Sequence, residues 1–351
     1  MTLPPEHVVQ ETNLQDLRAE ESTAEVDAEV DEQVEVEEVE ICEEVEEPKN
    51  TYFVAKNYAR RGGKSLALIE SQEDGGETVK ELSRLSTCNT RFASTSSGDT
   101  IYTTGGFDRT GKATDYVETY NVGGFRARPE VPMIFKRAKH ACGALDNLLI
   151  VCGGVDGKAS DKCEKLDLNL RFEGGAKKWE KVCKMKRERK SFPMVACGDA
   201  LYALGGMSDM REVLRSVEFF KVEDNRWEWA SRMICFRESH AAVAFKGKIY
   251  VFGGRGDLGL LASAEAMDIS TDQWTAIQPL DVPRRLFACV VEDKKIFCCG
   301  GEGPLKMPLN SVVSYDAATD EWREEQTMPK RRFGFSALSV RRREETLVVE
   351  A

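Results

Sequence analysis

From Pro48 onward the apolar positions of this chain fall in short runs separated by glycines and charged turns, without the sustained 3.6-residue period of a long helix. Runs such as Ile249-Tyr250-Val251-Phe252 are apolar on successive residues, which fits strands covered on both faces. Others, such as His240-Ala241-Ala242-Val243-Ala244 and Phe287-Ala288-Cys289-Val290-Val291, are built of small residues and suit a crowded inner position. The pattern predicts an all-β protein of short antiparallel strands.

The pattern repeats. Glycine pairs preceded by apolar runs stand at Gly105-Gly106, Gly153-Gly154, Gly205-Gly206, Gly253-Gly254 and Gly300-Gly301, at spacings of 48, 52, 48 and 47. Thirteen residues before each pair comes Phe92, His140, Phe192, His240 or Phe287, and three before that Arg137, Arg189, Arg237 or Arg284, with Asn89 the exception. Ten residues before four of the arginines, Arg332 included, stands Trp179, Trp227, Trp274 or Trp322. Each unit is a small sheet that cannot bury both faces alone, so copies must stack. The tryptophan is expected to fill the gap between neighbouring sheets, contributing roughly 2–3 kcal/mol if fully buried.

Arg-x-x-His/Phe, thirteen residues to Gly-Gly, then an aromatic such as Tyr120 or Tyr315, then Trp, resembles the kelch repeat over about residues 89–351. The resemblance implies a β-propeller of four-stranded blades, and the unit length sets it apart from shorter propeller repeats that end in Trp-Asp. Five units, spanning 89–331, are complete. The last begins at Arg332 (RFGFSALSV, then ETLVVEA) with two strands and no tryptophan half, while Leu66–Ile69 and Val79–Leu82 offer a third and a fourth strand upstream. We therefore expect a six-bladed propeller in which 51–88 and 332–351 share the closing blade, removing exposed edges.

Charge divides the chain. Residues 1–50 hold 18 of its 60 acidic residues and two of its 49 basic ones, a net of −16; the remainder, 42 acidic against 47 basic, is at +5. The stretch from Glu11 to Glu47 lacks aromatics and glycines and repels itself, so 1–50 reads as a disordered acidic tail. Tethered to a basic body, that tail is expected to contact the propeller within the molecule. No apolar run is long enough to span a membrane and the N-terminus is not a secretory signal, so a cytoplasmic protein is expected, with nuclear import left open by the clusters Lys184–Lys190, Lys330–Arg332 and Arg341–Arg343.

Catalytic apparatus is not visible. The three histidines are His7 in the acidic stretch and His140 and His240, which occupy the position phenylalanine fills in other units, so the latter two read as structural. Eleven cysteines without a CxxC pair, several inside apolar runs (Cys152, Cys197, Cys289, Cys298, Cys299), read as buried thiols. No metal, no cofactor and no enzymatic activity are expected. The acidic segment opposes nucleic-acid binding.

Protein binding remains. In substrate-adaptor kelch domains the resemblance implies contacts from the residue two after the motif arginine and the residue directly after the glycine pair. Here the first set is Arg91, Lys139, Ser191, Ser239, Leu286 and Gly334, and the second Phe107, Val155, Met207, Arg255 and Glu302. Arg91, Lys139 and Arg255 would form a basic mouth for carboxylates, with Phe107 and Met207 as apolar anchors. The expected role is a scaffold or recognition subunit binding a protein partner or acidic peptide at the rim. The alternatives are a propeller enzyme with an unrecognised site and a cytoskeletal, actin-associated kelch protein. Residues before 51 do not read as the BTB domain that adaptor relatives carry, so no built-in ligase-recruiting part is expected.

Overall fold

A computed structural model describes residues 49–55, 65–71, 77–83, 90–122, 126–169, 177–325 and 327–341. The acidic segment up to Pro48 lies outside the described residues. Among them the architecture is all-β apart from a single 3-10 turn at Pro304–Lys306.

Five four-stranded antiparallel sheets are each continuous in sequence. Their inner strands are Ala93–Ser97, Ala141–Leu145, Met194–Cys197, Ala241–Phe245 and Ala288–Glu292. Three inner hairpins turn through pairs of residues at positive φ, Asp146-Asn147, Lys246-Gly247 and Asp293-Lys294, the twist that matches right-handed strands. A further sheet joins the two ends of the propeller: inner strand Ser336–Arg341, then Lys49–Ala55, Ser65–Ser71 and Glu77–Ser83. Each inner strand contacts the next, and Ser336–Arg341 contacts both Ala288–Glu292 and Ala93–Ser97, so the ring is closed.

Two expectations need correction here. The second strand of the closing sheet is Lys49–Ala55, which begins inside the stretch assigned to the tail; the run 345–351 expected in that place lies outside the described residues. The run of β-branched and aromatic residues Thr51-Tyr52-Phe53-Val54 was the available signal. The tryptophans also divide: Trp179 and Trp227 are buried, while Trp274 and Trp322 are half-buried. All four act as latches. Their Nε1 groups donate to carbonyls leaving the preceding blade, at Val131, Cys183, Ser231 and Gln278.

Cores lie between blades rather than within them. Ile150, Cys152 and Cys163 of the second blade pack with Phe192, Leu201 and Trp227 of the third. Tyr250 and Phe252 pack in the same way with Ile296 and Tyr315 one step on. At the seam Phe335 and Ala337 pack with Ala288, Cys299 and Met328 on one side, and Val340 with Ile101 and Tyr120 on the other. A single blade has no core of its own, which is the energetic reason for the repeat.

In the second to fifth blades the arginine and glycine pair of the repeat form a lock. In the third blade Arg189, fully buried, donates from Nη1 to the carbonyl of Gly205 at 2.8 Å and from Nη2 to Glu218 at 2.5 Å. Its own carbonyl accepts from the amide of Gly154 in the preceding blade. Arg137–Glu164 and Arg237–Glu265 repeat the pair at 2.7 Å. Glycine is required at position 206: φ is +95°, and a Cβ would sit 2.8 Å from both the Lys190 carbonyl and Phe192 Cβ. The fifth blade departs, because Val313 stands in register opposite Cys298 where Glu265 stands opposite Val251.

Candidate functional site

The locks aim the adjoining loops at one end of the ring. There the residues two after the motif arginine, Arg91, Lys139, Ser191, Ser239 and Leu286, all adopt left-handed φ of 53–57°, with Gly334 at 67°. For side-chain-bearing residues this conformation costs energy, and the surroundings hold it. Each amide donates to the carbonyl of its counterpart one blade back: Lys139 to Arg91, Ser191 to Lys139, Ser239 to Ser191, Leu286 to Ser239, Gly334 to Leu286. These five backbone hydrogen bonds stitch successive blades together around the mouth. Below it the small residues of the inner strands leave an axial cavity of about 680 Å³.

The second expected set joins the same rim. Phe107, Val155, Met207, Arg255 and Glu302 form antiparallel bridges with Thr90, Ala138, Lys190, Glu238 and Arg285, the residues one after each motif position. The structure therefore brings the two sets together. It also shows what sequence reasoning missed: Lys190, Glu238 and Arg285 belong to the mouth, and their signal was the position next to each buried arginine.

The basic mouth is lopsided, and Arg255 is not an open cation of it. Arg255 Nε lies 2.9 Å from Glu238, Arg285 lies 3.7 Å from Glu238 and 2.6 Å from Glu302, and Ser239 Oγ donates to Glu238 at 2.5 Å. Blades four and five thus carry a self-neutralised chain of alternating charge. Across the mouth stand Arg91, Lys139 and Lys190. Burial lowers the pKa of the half-buried Lys139 ammonium, the charges of Arg91 and Lys190 lower it further, and Glu238 opposes them. A carboxylate arriving there relieves repulsion already present. Phe107 and Met207, the expected anchors, are half-buried.

His140 and His240 sit beneath the mouth in the phenylalanine position. His140 Nε2 shares a 2.8 Å hydrogen bond with Thr104 Oγ1, while neither ring nitrogen of His240 has a partner. Burial, reinforced by Arg237 and Arg189, holds His240 well below 6.5, and burial with Arg137 does the same to His140. The unfolded chain takes up protons at these histidines near pH 6.5 and the folded chain only well below it. Stability is therefore level above that pH and falls as pH drops, by up to about 1.4 kcal/mol per pH unit per histidine. His240→Phe, which copies Phe192 and Phe287, is expected to raise stability by about 1 kcal/mol and to flatten the acid limb. Melting curves between neutral pH and pH 5 check this, and an unchanged acid limb counts against a neutral buried His240.

Among the described residues, no group of three or more His, Cys, Asp or Glu is placed to hold a metal ion, and no helix is long and apolar enough to cross a membrane.

The KLHDC2/KLHL20/DRC7 Kelch-repeats domain family matches residues 139–348, more than half of the chain. Alpha-scruin of Limulus polyphemus is 28% identical over 205 residues, covering 55% of this chain and 22% of its own length. Kelch-like protein 26 of Danio rerio is 28% identical over 218 residues (60% and 34%), and Kelch-like protein 35 of Mus musculus 28% over 239 residues (66% and 38%). The chain thus spans well under half the length of these relatives.

Proposed function

Because the chain belongs to the kelch-repeat family, we propose that it is a non-enzymatic recognition propeller that binds an acidic segment of a partner protein at the mouth. The observation that carries this reading is the juxtaposition of Arg91, Lys139 and Lys190 on one arc, facing an arc already neutralised by Glu238 and Glu302. Basic side chains placed close together lower one another's proton affinity and favour a carboxylate ligand. Arg91 and Lys139 are joined by a backbone hydrogen bond between blades and Lys190 is bridged to Met207, so little ordering cost is left for binding.

The test uses peptides selected from a displayed library of random dodecapeptides on the full chain. Lys139→Glu is expected to weaken the selected peptides by about a hundredfold or more, since it replaces attraction by repulsion. Arg255→Ala, which removes a charge already spent on Glu238, is expected to change affinity by about threefold or less. Peptides rich in Lys and Arg, or equal sensitivity to the two variants, would sink the acidic-segment reading.

A further inference from the structure

Beyond the mouth the chain turns outward in a loop after each glycine pair. Four residues past the second glycine stand Met210, Leu258 and Leu305 in the third, fourth and fifth blades. They are 91%, 106% and 94% exposed, the three most exposed of the large apolar residues described. Single exposed apolar residues are ordinary on a protein surface. These are not scattered, since they occupy one repeat position in three consecutive blades, while Thr110 and Lys158 hold it in the first two. Leu305 adds a second cost, because its backbone is left-handed at φ 57° and ψ 21°, where Gly or Asn is the relaxed choice. Nothing in the described fold covers these three tips.

We propose that Met210, Leu258 and Leu305 form an apolar arc that grips aliphatic or aromatic side chains of an extended partner segment whose acidic part reaches Arg91, Lys139 and Lys190. The proposal rests on the mouth reading above and adds to it the second half of the recognised sequence. Charge complementarity fixes the occupant and its direction. Two of the three tips, Leu258 and Leu305, stand on the fourth and fifth blades, where Glu238 and Glu302 neutralise the basic groups, while Lys139 and Lys190 stand on the second and third. A segment with its apolar part on the fourth and fifth blades and its carboxylates toward the second and third satisfies both arcs. A flat membrane surface fits poorly, because Lys139 is half-buried in the mouth and Glu238 and Glu302 would face the anionic headgroups.

The experiment compares the full chain with Met210→Ser/Leu258→Ser/Leu305→Ser and with Lys139→Glu, using the selected dodecapeptides. All three tips are exposed, so the triple variant is expected to keep its melting temperature. Enriched peptides are expected to carry apolar residues beside Asp or Glu, and the triple variant to weaken them about tenfold or more. Peptides that ignore the tips but lose binding with Lys139→Glu overturn the arc and leave the mouth reading standing. Peptides that need the tips but ignore Lys139→Glu uphold the arc and overturn the mouth. A selection that returns no peptide, or tip-dependent flotation with phosphatidylcholine–phosphatidylserine vesicles, overturns the arc.

Discussion

Truncation after Gly334, which removes the inner strand Ser336–Arg341, is expected to abolish the cooperative melting of the native propeller or to lower its midpoint by about 10 °C or more. That strand carries the seam. Phe335 and Ala337 complete the core against the fifth blade, and Val340 the core against the first, each less than 10% exposed. Their burial contributes about 5 kcal/mol together, comparable with the whole stability of many domains. The strand also supplies the backbone partners of Lys49–Ala55 through six paired positions, so its loss leaves that strand with an unpaired edge. Calorimetry or near-ultraviolet circular dichroism reads the result. A truncated chain that melts as the full one does would show that the ring owes nothing to closure.

Glu218→Ala is expected to cost about 3–5 kcal/mol, several times a typical single substitution. Arg189 and Glu218 are both wholly buried, and the carboxylate also accepts the amides of Lys186 and Arg187. Removing it leaves a guanidinium without its counter-charge in a dry site and two amides short of an acceptor. The pair itself is not a large net gain. Burial pulls the Arg189 guanidinium down and, in the second blade, the Glu164 carboxyl up, each toward its neutral form. Desolvation thus consumes much of the attraction, and the double variant Arg189→Met/Glu218→Val is expected to recover part of the loss. Denaturant unfolding of the two single variants and the double one measures the coupling. Additive losses would mean that the two groups act independently and that the lock is misdescribed. The fifth blade tolerates Val313 at the carboxylate position, and there Arg284 rests on the carbonyls of Gly300 and Val282 instead.

The lock also shows how far the repeat can be read. Arg189 and Gly205-Gly206 recur at fixed intervals in four blades, the second to the fifth, because both are needed at the same place in each, and intervals are visible in a chain. Glu218 was not recognised as the arginine's partner, since its distance from the glycine pair shifts with loop length: it lies thirteen residues past the first glycine, against eleven for Glu164 and twelve for Glu265. Strand pairing absorbs that drift. All three glutamates sit opposite the residue two places before their glycine pair.

The mouth was legible in outline and not in sign. Counting two past the arginine position and one past the glycine pair finds Arg91, Lys139 and Arg255, three cations that look alike in the sequence. Spatially Arg255 is spent on Glu238, whereas Lys139 faces Arg91 and Lys190. The charge of a residue belongs to its type, but its availability depends on neighbours from other blades. The apolar arc was hidden for the same reason, because Met210, Leu258 and Leu305 each read as one residue in a polar turn until the ring places them on one rim.

What the sequence by itself determined was the repeat: strand class, blade size, the structural histidines and the sharing of the closing blade between distant segments. These follow from local periodicity, which backbone sterics and hydrophobic burial impose on every copy alike. Tertiary structure alone decided which strand, Lys49–Ala55, stands second in the closing sheet, which carboxylate holds Arg137, Arg189 and Arg237, and which cations of the mouth are spent on neighbouring carboxylates. Those outcomes depend on pairing between residues far apart in the chain, where desolvation and distance set the energy and neither can be read from order along the backbone.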